Sequence, residues 1–162
     1  MNDVNATLEA ADIAVILEAL PHRYPFLMID RIFGMRGDEV AIGIKNVTVN
    51  EPQFLGHFPG QPVFPGVLMI EGMAQTAGVL CIRARGKQKP PKAVFFLTVD
   101  KAKFRRPVVP GDTLRMEIKI LKRKASVAKM SGIATVDGKV VAEAEVMCKL
   151  ADRDEKPQAA EA

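Results

Sequence analysis

The sequence predicts an α+β fold, an antiparallel sheet packed around one buried helix, and three observations carry that prediction. Residues Val67 to Ile82 are apolar on nearly every side of a helical wheel, the mark of a helix enclosed by other structure. Two later stretches alternate at the period of a strand. Leu114, Met116, Ile118 and Ile120 are interleaved with Arg115, Glu117 and Lys119, and Ala142, Ala144, Val146, Cys148 and Leu150 with Glu143, Glu145, Met147 and Lys149. Such alternation gives one buried and one solvated face, as in an antiparallel sheet. Turn signals, Pro110-Gly111-Asp112 and Asp137-Gly138, separate the strands.

The remaining elements follow in order. Ile13, Ile16, Leu17 and Leu20 fall at i, i+3, i+4 and i+7, which makes one apolar helix face. Asp12 stands as its N-cap and Pro21 as its stop. Phe26-Leu27-Met28-Ile29 and the alternating Val40, Ile42 and Ile44, on either side of a Gly37-Asp38 turn, read as strands. Residues 52 to 66 hold Pro59, Pro62 and Pro65, which restrict Phe58, Gln61 and Phe64 in turn, so a stiff irregular loop is expected there. Arg83 to Lys92, ending in Pro90-Pro91, reads as an exposed exit from the helix, and Ala93 to Leu97 as a further strand. The inventory is one buried helix, one or two smaller ones and five or six strands. One domain over residues 1–150 is expected, with 151–162 a polar, flexible tail. Strand order is not readable from these patterns.

Composition narrows the function. Hydrophobic residues make 48% and charged residues 26% of the 162, a globular balance. Met1 to Asn5 carries no basic region followed by an apolar core, so no signal peptide is expected. The Val67–Ile82 stretch is interrupted by Glu71, Gly72, Gln75, Thr76 and Gly78, and no membrane insertion is expected. Cys81 and Cys148 belong to no CxxC or Cys/His cluster and read as reduced core thiols of a cytosolic protein. With two histidines and two cysteines at unhelpful spacings, no metal is expected. The net charge of +4 concentrates in Arg83 to Lys89, Lys101 to Arg106 and Lys122-Arg123-Lys124. These runs could attract an acidic partner, or be no more than a solvated face. One Tyr and no Trp offer little for base stacking, so nucleic acid is not the expected partner.

Glu71 is the anomaly, a carboxyl within an apolar helix. A lone buried charge is costly, and burial favours the neutral form, which can donate a proton. Gln75, one helical turn on, can orient that carboxyl. His57 lies on the loop before the helix, with Phe54, Phe58 and Phe64 as apolar walls, and suits a general base. Pro65-Gly66 opens the helix, where unpaired N–H groups favour negative charge and a glycine lets a carbonyl approach. Acid, base and oxyanion donor suit removal of a proton beside a carbonyl with loss of a β-hydroxyl. A lone loop histidine and an ion-paired helix carboxylate would explain the same two residues structurally. No Ser or Cys lies near His57 in sequence to support a nucleophilic triad. His22, after the helix stop, reads as a capping or packing residue.

Leu20-Pro21-His22-Arg23-Tyr24-Pro25-Phe26-Leu27 with Asp30-Arg31 resembles the opening motif of the bacterial (3R)-hydroxyacyl-ACP dehydratases. Gly56-His57-Phe58-Pro59-Gly60-Gln61-Pro62-Val63-Phe64-Pro65-Gly66-Val67-Leu68, continuing through Glu71 to Gln75, resembles their active-site motif. The likeness spans about Asp12 to Leu150. It implies a hot-dog fold, and a homodimer with two shared active sites, commonly a hexamer built as a trimer of dimers. It also implies a cytoplasmic, cofactor-free lyase of fatty-acid synthesis, whose products could feed phospholipid or lipid A. Carried over, His57 of one chain faces Glu71 of its partner, Gly66 donates to the thioester carbonyl and Gln75 supports Glu71. Phe58, Phe64, Pro65 and Val67 would then line the substrate site. A related family that also isomerises has Asp at the position of Glu71. Phe64 and Gly72 stand where methionine and alanine are usual, and Phe64 bears on acyl-chain length. The partner implied is an acyl carrier protein, with Lys101, Lys103, Arg105, Arg106, Lys122, Arg123 and Lys124 as docking candidates. A hot-dog thioesterase and a non-catalytic acyl-thioester sensor are the rival readings.

Overall fold

The computed structural model of the protein describes residues 9–86 and 93–151. Seven strands form one antiparallel sheet: β1 (Glu9–Ala11), β2 (Arg31–Arg36), β3 (Val40–Asn46), β4 (Ala93–Phe104), β5 (Thr113–Lys124), β6 (Val127–Val136) and β7 (Lys139–Ala151). Their order across the sheet is β1-β2-β3-β5-β6-β7-β4. The helix α1 (Ile13–Ala19) closes one end, and α2 (Gly66–Arg83) lies against β3, β5, β6 and β7. This is the hot-dog arrangement, a sheet curled round one long helix.

The expected capping is present, with Asp12 accepting from the Val15 N–H at 3.1 Å. From Met69 to Ile82 every α2 residue except Glu71 is buried. Close approach of helix and sheet depends on small residues. A Cβ at Gly43 would stand 3.1 Å or less from two atoms of Thr76, so β3 meets α2 there almost backbone to side chain. The face that β3 turns inward is therefore Ala41, Gly43 and Lys45, while Val40, Ile42 and Ile44 are only half-buried. In β5 and β7 the larger apolar residues do face the core, as their alternation predicts. Asp137 and Gly138, both at positive φ, make the β6–β7 turn.

Three readings are corrected. Phe26 to Ile29 forms no strand, although Met28 and Ile29 are buried. Its main chain bonds instead to the side chain of Gln75, which accepts from Met28 N–H at 2.8 Å and donates to Phe26 C=O at 2.7 Å. A side-chain amide thus does the work of a neighbouring strand. Second, β4 runs on to Phe104, well past Leu97, because it pairs with β7 nearly to its end. Third, β1 and β2, at neither of which a strand was read, bring the strands among the described residues to seven, where five or six were expected. The expected flexible tail beyond Ala151, and most of the expected exit segment 83–92, lie outside the described residues.

Candidate active site

His57 sits on a loop tied down on both sides. Lys45, buried in β3, pairs with Glu51 at 2.8 Å, and Glu51 also accepts from Gln53, fixing the one-turn 3-10 helix Pro52–Leu55. The His57 N–H donates to Gln53 C=O at 3.0 Å, and Val63 N–H donates to His57 C=O at 3.0 Å. Between them Phe58 and Gln61 exchange main-chain hydrogen bonds around Gly60, whose φ of +75° suits glycine. The Phe58 ring stacks on the His57 ring, centroids 4.0 Å apart. Phe64 is buried beside Phe54 and anchors the loop to the core.

This setting decides the tautomer of His57. Its Nδ1 lies 2.6 Å from Val63 C=O. A carbonyl oxygen only accepts, so Nδ1 carries the proton and the neutral ring leaves Nε2 free to take one. The half-buried ring borders an open groove of about 450 Å³, with Val63, Pro65, Gly66, Val67, Phe104 and Arg106 among its walls. Gly66 is the first residue of α2, ahead of the first intrahelical bond. A Cβ on it would stand 2.7 Å from a ring carbon of Phe104, which explains the glycine and adds Phe104 to the site.

Glu71 lies on α2 in a separate cluster, 14% exposed at its side chain. Its Oε1 accepts from Gln75 Nε2 at 2.7 Å. Gln75 cannot flip, because Met28 N–H demands its oxygen and Phe26 C=O its nitrogen. His22 Nε2 lies 3.2 Å from the same Oε1. This corrects the reading of His22 as a capping or packing residue, because it faces a carboxylate of α2. The only sequence signal was its place in a family-like motif, since Glu71 is 49 positions away (71 − 22 = 49). Phe104 had no signal, because β4 was read to end before it. Among the described residues, no hydrogen bond or groove within one chain joins His57 to Glu71. Nor do three His, Cys, Asp or Glu side chains gather there as metal ligands.

The basic residues divide. Arg105 and Arg106 border the His57 groove. Lys101 is paired with Glu145, and Lys103 and Arg105 with Glu143. Arg123 pairs with Asp38 at 2.6 Å. Lys122 to Lys124 lie level with Met147 to Lys149, about 13–20 Å further along β7 than the Lys103–Glu143 pair at ordinary strand rise. Burial pushes the Cys148 thiol up to about 12, with the Glu71 charge and Cys81 adding to it, and burial also raises Cys81.

Comparison with known proteins gives the family of the chain. A family model described as the FabA-like domain matches residues 20–145. The chain is 65% identical over 149 residues to the 3-hydroxyacyl-[acyl-carrier-protein] dehydratase FabZ of Solibacter usitatus, covering 92% of this chain and 91% of that one. It is 56% identical over 156 residues to the FabZ of Brucella ovis, covering 96% and 99%. The dehydratase heterocomplex ApeI:P of Xenorhabdus doucetiae shares the fold, with a TM-score of 0.75 at 19% identity over 86% of this chain and 93% of that one. The chain belongs to the FabA-like family, among its FabZ-type members.

Proposed function

We propose that the protein is a hydro-lyase of fatty-acid biosynthesis that interconverts (3R)-hydroxyacyl-ACP and trans-2-enoyl-ACP. His57 Nε2 removes the proton beside the thioester carbonyl. The electrons of that C–H bond become the new double bond as the β C–O bond breaks. Glu71 protonates the departing hydroxyl, which leaves as water. The Gly66 N–H holds the charge that develops on the carbonyl oxygen. The observation that carries this is His57, bonded through Nδ1 to Val63 C=O and lining the groove at the start of α2. No step requires a metal or redox cofactor, because only protons and water move.

The acid and base lie apart in one chain, which favours a homodimer in which His57 of one copy faces Glu71 of the other. The sheet supports this reading. Among the described residues β4 is an edge strand, bonded only to β7, and Phe96, Val99 and Phe104 on it are 43%, 44% and 52% exposed. An apolar, unpaired edge is a template for a second strand. Assembly into a trimer of dimers and a cytoplasmic location complete the proposal. Among the described residues, no helix is long and apolar enough to cross a membrane. Substrate contacts are assigned to Phe58, Phe64, Pro65 and Val67, although the buried Phe64 contributes mainly by holding the loop. An acidic carrier protein would dock on Arg105 and Arg106 at the groove, with Lys101, Lys103 and Lys122 to Lys124 as outer contacts. Affinity for the carrier should then weaken as salt rises.

The test is the ultraviolet absorbance of crotonyl-ACP with purified protein. Loss of the conjugated enoyl signal without free thiol, abolished in His57→Ala and in Glu71→Gln, supports the dehydratase. Release of free thiol points to a thioesterase, and wild-type turnover in folded Glu71→Gln removes Glu71 as the acid.

A further inference from the structure

We propose that His22 is a positioning residue for the acid: as an Nε2–H donor it joins Gln75 in saturating Oε1 of Glu71, so that the transferable proton resides on Oε2. The inference rests on the dehydratase reading, in which Glu71 is the acid.

Three observations lead to it. His22 is held by its neighbour, since the Arg23 guanidinium donates to the carbonyls of Leu17, Leu20 and His22 and clamps the chain as it leaves α1. Its Nε2 faces Glu71 Oε1 at 3.2 Å. Its Nδ1 is buried and has no hydrogen-bond partner among the described residues. The last point selects the tautomer. A proton on Nδ1 would leave a buried donor unsatisfied, whereas a bare lone pair there is the milder fault. The proton therefore sits on Nε2, and Oε1 receives two N–H donors, one from His22 and one from Gln75. An oxygen already accepting two hydrogen bonds is the poorer place for the carboxyl proton, which leaves Oε2 as the delivering atom. When that proton has gone to the leaving hydroxyl, the same two donors hold the carboxylate left behind.

The two histidines of the chain are thus set in opposite tautomers by their surroundings. His57 carries its proton on Nδ1, which donates to Val63 C=O, leaving Nε2 as base. His22 is protonated on Nε2, aimed at the acid. One ring accepts a proton and the other fixes the group that gives one.

A long-range proton–nitrogen spectrum of uniformly nitrogen-15-labelled protein reads both tautomers, since only two imidazoles contribute. One ring is expected as Nδ1–H and the other as Nε2–H, the first set lost in His57→Ala. An Nδ1–H tautomer for His22 would overturn the proposal. For turnover of crotonyl-ACP, His22→Leu should lower kcat about 10- to 100-fold with KM nearly unchanged. His22→Gln, whose amide N–H can reach the same oxygen, should restore most of it. In a Glu71→Gln background, His22→Leu should cost nothing further. Fully multiplicative losses would mean that His22 acts apart from Glu71, and the proposal fails. Wild-type turnover in Glu71→Gln itself would instead sink the acid role, and the spectrum still decides the hydrogen bond.

Discussion

Replacing Gln75 with methionine, which keeps the length and volume of the side chain, should destabilise the protein by about 2–4 kcal/mol. Gln75 is 1% exposed and makes three hydrogen bonds. Methionine leaves the buried Met28 N–H with no acceptor, at a cost of about 1–3 kcal/mol. Phe26 C=O is part-buried and can turn toward water, so it adds about 1 kcal/mol. Against a domain stability of about 5–15 kcal/mol the loss is large. In urea it should move the midpoint down by about 1–2 M, measured at one protein concentration because association adds to apparent stability. Gln75→Glu separates the hydrogen-bond account from simple packing. Its second oxygen would face Phe26 C=O and Glu71 Oε1, both acceptors, so it should be tolerated better at pH 5, where it can hold a proton, than at pH 8. A Gln75→Met protein that unfolds at the wild-type urea concentration would refute the claim that this amide replaces a strand for residues 26–28.

Three further outcomes are expected. Gly66→Ala should lower kcat/KM about tenfold or more while leaving the melting temperature near wild type, since the half-exposed Phe104 can give way to the new methyl but itself lines the groove beside His57, so its shift alters the site; steady-state kinetics with a thermal melt would check it. Native protein should show no thiol titratable by a disulfide reagent near pH 8 and two after denaturation, because burial raises both Cys81 and Cys148. Glu143 is held below the ordinary carboxylate value of 4.5 by Arg105 and Lys103, and Glu145 by Lys101 and Lys129. Carboxyls lowered in the folded state contribute stability that is present above pH 4.5 and fades as the pH falls through their lower folded values. Hydrogen-exchange protection of β4 should therefore drop on acidification more than that of the β5–β6 pair.

Much of this protein was legible in its sequence, for a physical reason. The span and burial of α2, the capping of α1 by Asp12, the Asp137-Gly138 turn and the inward faces of β5 and β7 all follow from side-chain periodicity and local turn chemistry. These are interactions within a few residues. The candidate base and acid were legible too, as a histidine on a proline-stiffened loop and a carboxyl on an apolar helix, with Gly66 between them. What tertiary structure decided depends on atoms distant in the chain. Met28 reads as a strand residue until Gln75, 47 positions later, takes its N–H. The inward face of β3 is set by Thr76 pressing on Gly43 and not by its larger residues. Both imidazole tautomers belong to the same class. Val63 C=O fixes one, and the other follows from a buried Nδ1 without a partner and a Glu71 oxygen that lies close only once α2 packs beside the turn after α1. Residue type settles which groups can move a proton, and long-range packing settles which atom holds it.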